Sequence, residues 1–138
     1  MIIINQPEEG IWFKFTTRGE TVELKIRPLS AEVLTKIRKK YKMTKMERDP
    51  QTRQMVKVDY FDEEAIAQEL VDYLLEDFKG FASAPNVPLP VTPENKRKIF
   101  ELPPAPEDTM SISDFIFEKS REIAAISEKE FEELEKNW

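Results

Sequence analysis

With neither histidine nor cysteine in the chain, its chemistry-bearing side chains are carboxylates, amines and guanidinium groups. Asp72 and Glu76 stand four residues apart, and Glu128, Glu132 and Glu135 repeat at intervals of four and three. On a helix that spacing sets carboxylates side by side, the arrangement an acid/base pair or a Mg²⁺ site would need. Carboxylates are equally common on the solvent face of amphipathic helices, and that reading is preferred. No catalytic, cofactor-binding or metal-binding residue is therefore assigned. The missing histidine removes the general base that titrates nearest neutrality, the Ser-His-Asp triad and the imidazole metal ligand. The missing cysteine removes the thiolate nucleophile, the disulfide framework and the ordinary structural zinc site. Three scattered glycines, Gly10, Gly19 and Gly80, do not make a phosphate-cradling loop. The expectation is a protein without enzymatic activity.

Charge is segregated along the 138 residues, whose net charge is −6. Between Ser30 and Val58 lie nine cations, Lys36, Arg38, Lys39, Lys40, Lys42, Lys45, Arg48, Arg53 and Lys57, against three acids, a net of +6. Residues 59–80 carry −7, and residues 101–138 another −7. A basic helix leading into a basic ribbon could hold phosphate backbones by counterion release. Within that block Tyr41 is the one interleaved aromatic, and the overall negative charge disfavours nucleic acid. A solvated face balanced by the acidic helices is the preferred reading.

The C-terminal end offers a different kind of site. Phe131, Leu134 and Trp138 form an apolar stripe on an acidic segment. Ser127 and Glu130 have capping-box spacing there, with Ile126 and Phe131 in the staple positions. A helix restarting near Ser127 could lay that stripe in a partner's groove or on its own domain.

The elements that must position these groups are legible in part. Ile11, Phe13 and Phe15, then Val22, Leu24 and Ile26, alternate with polar residues on either side of Arg18-Gly19-Glu20. This predicts a β-hairpin with one buried face. Ser30 caps a helix over 31–41. Asp49-Pro50 centres a second, poorly alternating hairpin, with arms 43–48 and 53–60, expected to project or order only in part. Its strand edges would be open to a second copy of the chain. Asp62, Glu63 and Glu64 start a helix whose apolar residues Ile66, Leu70, Tyr73, Leu74 and Phe78 carry it to Gly80. Thr92 and Pro93 start a short helix to about Leu102 that places Ile99, Phe100 and Leu102 on the core. Leu, Ile, Val and Phe together make 37 of 138 residues, enough for a core at this length. The fold class is α+β: a small antiparallel sheet, N-terminal hairpin plus second ribbon, packed by three to four helices. Residues 1–110 are expected to form the core domain and 111–138 a helical segment, broken near Ser127. No signal peptide or membrane span is read, so a soluble cytoplasmic chain without membrane contact is expected.

The order of these signals resembles the small tail assembly chaperones of long-tailed, siphovirus-type bacteriophages and prophages. The matching strings are "IRPLSAEVLTKIRKKY" (26–41), "LLEDFKGF" (74–81) and "VPLPVTPENKRKIFE" (87–101). Within them Phe78 and Gly80 match the family's aromatic-x-Gly element, where Trp is frequent in place of Phe. Pro90, Thr92, Glu94 and Asn95 match its P-x-T-x-E-N element. The resemblance implies a non-enzymatic protein that binds the tape-measure protein and recruits tail-tube subunits in the bacterial host cell, in a family with short and frameshifted long forms. The matching positions are fold markers, so no site residue is carried over from them.

Overall fold

A computed structural model describes residues 10–136, with side-chain surroundings up to residue 125. The fold is α+β. Strands β1 (Ile11–Thr17) and β2 (Glu20–Ile26) form the expected hairpin. Its two-residue connection has Arg18 at φ 54° and Gly19 at φ 75°. Positive φ at both central positions matches the right-handed twist of the flanking strands, which is why this turn closes hairpins. The connection is tied down from outside. Thr17 donates to Asp108 at 2.7 Å and Arg18 to the Pro103 carbonyl at 3.3 Å.

Helix α1 (Ala31–Lys40) follows, capped by the Ser30 hydroxyl, which accepts from the Val33 amide at 3.2 Å. Strands β3 (Lys42–Arg48) and β4 (Met55–Phe61) pair in full register, Lys42 opposite Phe61 through Arg48 opposite Met55. Helix α2 (Glu63–Leu74) is capped by Asp62, as its sequence predicts. It ends six residues before Gly80, however, and the chain continues as strand β5 (Leu75–Lys79).

That strand is a correction with a clear physical cause. A two-stranded hairpin leaves one edge of β2 with unpaired amides and carbonyls. β5 pairs with that edge antiparallel, so the sheet order is β1-β2-β5. Phe78 still reaches the core (4% exposed), but from a strand opposite Leu24 rather than from a helix face. Gly80 likewise keeps its positive φ of 96° but does not end a helix. A Cβ there would stand 3.2 Å from Val22 Cα, so the glycine allows the chain to pass β2 closely. The second ribbon does not join this sheet. β3 and β4 form a sheet of their own.

A short pairing of β6 (Ala82–Ala84) with β7 (Val87–Pro88) turns through Asn86 at φ 64° and was not foreseen. Helix α3 (Pro93–Phe100) then starts where Thr92 and Pro93 predict. The Thr92 hydroxyl accepts from the Asn95 amide at 3.2 Å, while Asn95 Nδ2 donates to the Pro90 carbonyl at 2.8 Å. Pro90, Thr92 and Asn95 thus form a clasp around a helix start, a structural task.

Helix α4 (Ile112–Lys136) runs through Ser127 without the expected break. A capping box satisfies amides only where a helix begins, and the neighbouring Ile, Glu, Lys and Phe are all acceptable helix residues. The first half of α4 belongs to the core. Ile112, Ile116 and Ile123 are buried with Phe15, Val22, Leu24, Ile26, Leu74, Leu75, Phe78 and Ile99. Phe115 packs on Phe15 with ring centroids 4.7 Å apart, and Phe117 meets Phe100 edge-on at 5.4 Å. The core therefore lies between one face of the β1-β2-β5 sheet and helices α2, α3 and α4.

Candidate protein-interaction surface

The carboxylates that could have made a reactive pair are instead parts of the framework. Asp72 lies on α2 and Glu76 in β5, so no helix face carries both. Asp72 binds Lys96, whose ammonium donates to the Asp72 carboxylate at 3.0 Å and to its backbone carbonyl at 3.1 Å. α2 has no basic residue in its own last turn. Lys96, only 8% exposed, supplies the positive charge that the C-terminal end of a helix favours.

Glu76 sits where the β2–β5 register slips: Asp77 pairs with Lys25 but Leu75 with Ile26. The extra residue of this bulge turns its carboxylate to Lys25 at 2.6 Å and to Arg27 Nε at 3.0 Å, and it accepts from the Gly10 amide at 3.3 Å. Burial pushes this carboxyl up, but Lys25, the Gly10 amide and Arg27 together hold it below its ordinary value. Among the described residues no group of three or more acidic side chains is placed to hold a metal ion. Glu128, Glu132 and Glu135 have side chains outside those described.

The nine cations of the basic block are spread over α1, the β3–β4 ribbon and its distal turn rather than gathered in one patch. α1 ends in Arg38, Lys39 and Lys40, a favourable place for positive charge against the helix dipole. The ribbon is closed at its base by the Asp62 amide donating to the Tyr41 carbonyl at 3.1 Å. Arg38 braces this junction, its guanidinium 4.5 Å above the Phe61 ring and 3.8 Å from Glu63. At the far end, Asp49 Oδ1 accepts from the Gln51 amide at 2.9 Å, and Arg53 turns the chain at φ 59°.

Five of the nine cations have acidic partners. Lys36 faces Glu32 at 3.6 Å, Arg38 faces Glu63, Lys40 contacts Glu69 at 2.5 Å, Lys42 contacts Asp59 at 3.2 Å and Lys45 contacts Glu47 at 2.7 Å. The Glu69 carboxylate raises the Lys40 pKa and Glu47 raises that of Lys45, while the hydrogen bond from Lys42 lowers that of Asp59. Lys39, Arg48, Arg53 and Lys57 are exposed and have no acidic partner among the described residues.

The ribbon's other property is apolar. None of its strand residues is buried. Met43 is 44% exposed, Met46 52%, Met55 55%, Val56 38% and Tyr60 40%. The register sorts these side chains onto two faces, since directly opposed residues share a side. One face carries the Lys42–Asp59 ion pair near the base and, toward the turn, pairs Met46 with Lys57 and Arg48 with Met55, thioethers alternating with two cations that have no carboxylate partner among the described residues. The other carries Met43, Tyr60, Val56 and Val58 around Lys45, which pairs with Glu47 and lies 5.2 Å above the Tyr60 ring. The sequence signal for this surface was the poor alternation of residues 43–60, which placed apolar groups on both sides of the ribbon.

Phe131, Leu134 and Trp138 fall outside the residues whose side chains are described, although the α4 backbone passes the first two. Among the described residues, no helix is long and apolar enough to cross a membrane. Comparison of this chain with protein-family models, with curated proteins and with solved structures returned no match.

Proposed function

We propose that this chain works without catalysis, through protein surfaces, as an assembly chaperone or adaptor. Its partners in this reading are the tape-measure and tail-tube proteins of a phage or prophage tail, met in the cytoplasm of the bacterial host. The mode of action is supported by one observation above the others. The β3–β4 ribbon leaves five large apolar side chains exposed on two strands that contribute nothing buried to the core. An isolated two-stranded ribbon is marginal in water, and exposed apolar groups concentrated on one mark contact with another protein. Methionine, unbranched and polarisable, suits a surface that must fit more than one shape. The nature of the partner rests on the resemblance of residues 26–41, 74–81 and 87–101 to tail assembly chaperones.

Co-purification of the tagged chain with the tape-measure and tube proteins encoded beside it tests this reading. Association in the micromolar range is expected, weakened by Met46→Ser with Met55→Ser. No association at that concentration would overturn it.

A second reading, nucleic-acid binding, is favoured by Lys39, Arg48, Arg53 and Lys57, which lack acidic partners. It predicts binding to duplex DNA that weakens steeply with salt and on neutralising Lys39, Arg48, Arg53 and Lys57. The other five cations are already matched by carboxylates, so the protein-binding reading is preferred.

A further inference from the structure

We propose that the ribbon of one copy of this chain receives the acidic segment 127–138 of a second copy. The two surfaces are complementary in both charge and apolar content. Segment 127–138 carries Glu128, Glu130, Glu132, Glu133 and Glu135 against two lysines, with Phe131, Leu134 and Trp138 spaced among them. The receiving face of the ribbon carries Arg48 and Lys57, both without an acidic partner among the described residues, beside the half-exposed Met46 and Met55. Each face has one lysine already held by an acid, Lys42 by Asp59 on the receiving face and Lys45 by Glu47 on the other, but only the receiving face adds the two unmatched cations Arg48 and Lys57.

A helix laid along the methionines would bury aromatic and aliphatic side chains there and bring glutamates to the flanking cations. The donor is assigned to another copy because α4 is anchored in its own core through Ile112, Ile116 and Ile123 and continues as one helix to Lys136. An uninterrupted helix has no hinge with which to redirect its end. Such a contact is head-to-tail: each copy offers one segment and one ribbon, so association continues until a ring closes or a chain grows. No tail protein takes part, so this contact and the pull-down result can fail independently.

The test has two arms. In the first, a fluorescein-labelled peptide of residues 127–138 is titrated with the chain lacking those residues. Saturable binding is expected, weakening severalfold or more between about 0.05 M and about 0.5 M salt as screening shortens. Arg48→Glu with Lys57→Glu should weaken it by about tenfold or more, with the thermal midpoint of the acceptor unchanged. In the second, the full-length chain is weighed by sedimentation across concentration. Assemblies larger than one copy should appear, and deletion of 127–138 should abolish them. Absence of peptide binding overturns the proposal, as does binding indifferent to the charge reversals. A full-length chain that stays monomeric while the peptide binds in trans overturns the copy-to-copy contact, since the segment would then occupy its own ribbon.

Discussion

The Glu76 carboxylate lies 2.6 Å from the Lys25 ammonium at the point where the β2–β5 register slips by one residue. Their side chains are each 18% exposed. The bulge and the ion pair explain one another. The extra residue in β5 is the one that can turn its side chain toward Lys25 and Arg27, and those cations make an acid at this position favourable. A pair of carboxylates that could have suggested chemistry is thereby divided between two framework contacts, Asp72 with Lys96 and Glu76 with Lys25.

The first prediction follows from the lowered Glu76 pKa. A carboxyl group that titrates lower in the folded than in the unfolded chain contributes stability above its unfolded pKa, about 4.3. That contribution disappears as pH falls through the folded value. Glu76→Gln should therefore cost about 1–2 kcal/mol at pH 7, and the two proteins should converge in urea stability as pH falls through the lowered folded value. A difference that persists undiminished in acid would show that the carboxylate charge is not what stabilises the bulge.

Lys96 should matter beyond its charge. Its side chain is 10% exposed and donates to both the carboxylate and the backbone carbonyl of Asp72. Lys96→Met keeps the apolar stem but leaves the carbonyl at the end of α2 without its ammonium donor. A loss of about 1–3 kcal/mol is expected by denaturant titration. Asp72→Asn should cost less, because its side chain is 46% exposed and the backbone carbonyl still accepts from Lys96.

The two positive-φ glycines should separate in a substitution test. Gly19, at φ 75°, has open space where a side chain would go, so Gly19→Ala meets only backbone strain, about 1 kcal/mol. Gly80, at φ 96°, would also drive its Cβ to 3.2 Å from Val22 Cα. Gly80→Ala should be the more destabilising, by about 1–3 kcal/mol or more. Equal effects in chemical denaturation would refute the close approach of Gly80 to Val22 of β2.

The ribbon should be dispensable for the fold. Met46→Ser with Met55→Ser should move stability by no more than about 0.5 kcal/mol each, whereas Leu24→Ala in the core should cost about 2–5 kcal/mol. In dilute solution trypsin should cut first at Arg48 or Arg53, beside the exposed turn. Complete resistance of a demonstrated monomer there would count against a projecting ribbon. Deletion of 127–138 is likewise expected to leave the thermal midpoint nearly unchanged, because Ile123 is the last core residue among those described. Lost cooperativity in that truncation would place the segment on its own domain.

Much of this protein was set by local sequence alone. The alternation around Arg18-Gly19 specifies a hairpin whose core face carries Phe15, Val22, Leu24 and Ile26, whereas Ile11, expected on that face, lies at the open end of β1 and stays 50% exposed. Ser30, Asp62 and Thr92 each begin a helix because their side chains accept an amide that the helix leaves unpaired. The basic character of residues 36–57 is equally a matter of composition.

What the sequence could not decide is the state of residues 75–79. Leu74 and Phe78 are four apart, which suits one helix face, while Leu75 and Phe78 also suit a bulged strand. Periodicity over so few residues does not distinguish the two. The open edge of β2 decided it, through hydrogen bonds to residues some fifty positions away in the chain, and with it moved Glu76 off the Asp72 helix. Tertiary structure also decided which cations remain available. Lys40 meets Glu69 and Lys42 meets Asp59 across elements, whereas Arg48 and Lys57 face outward beside Met46 and Met55. Net charge can be read along a chain. Which charges are cancelled depends on which elements pack together.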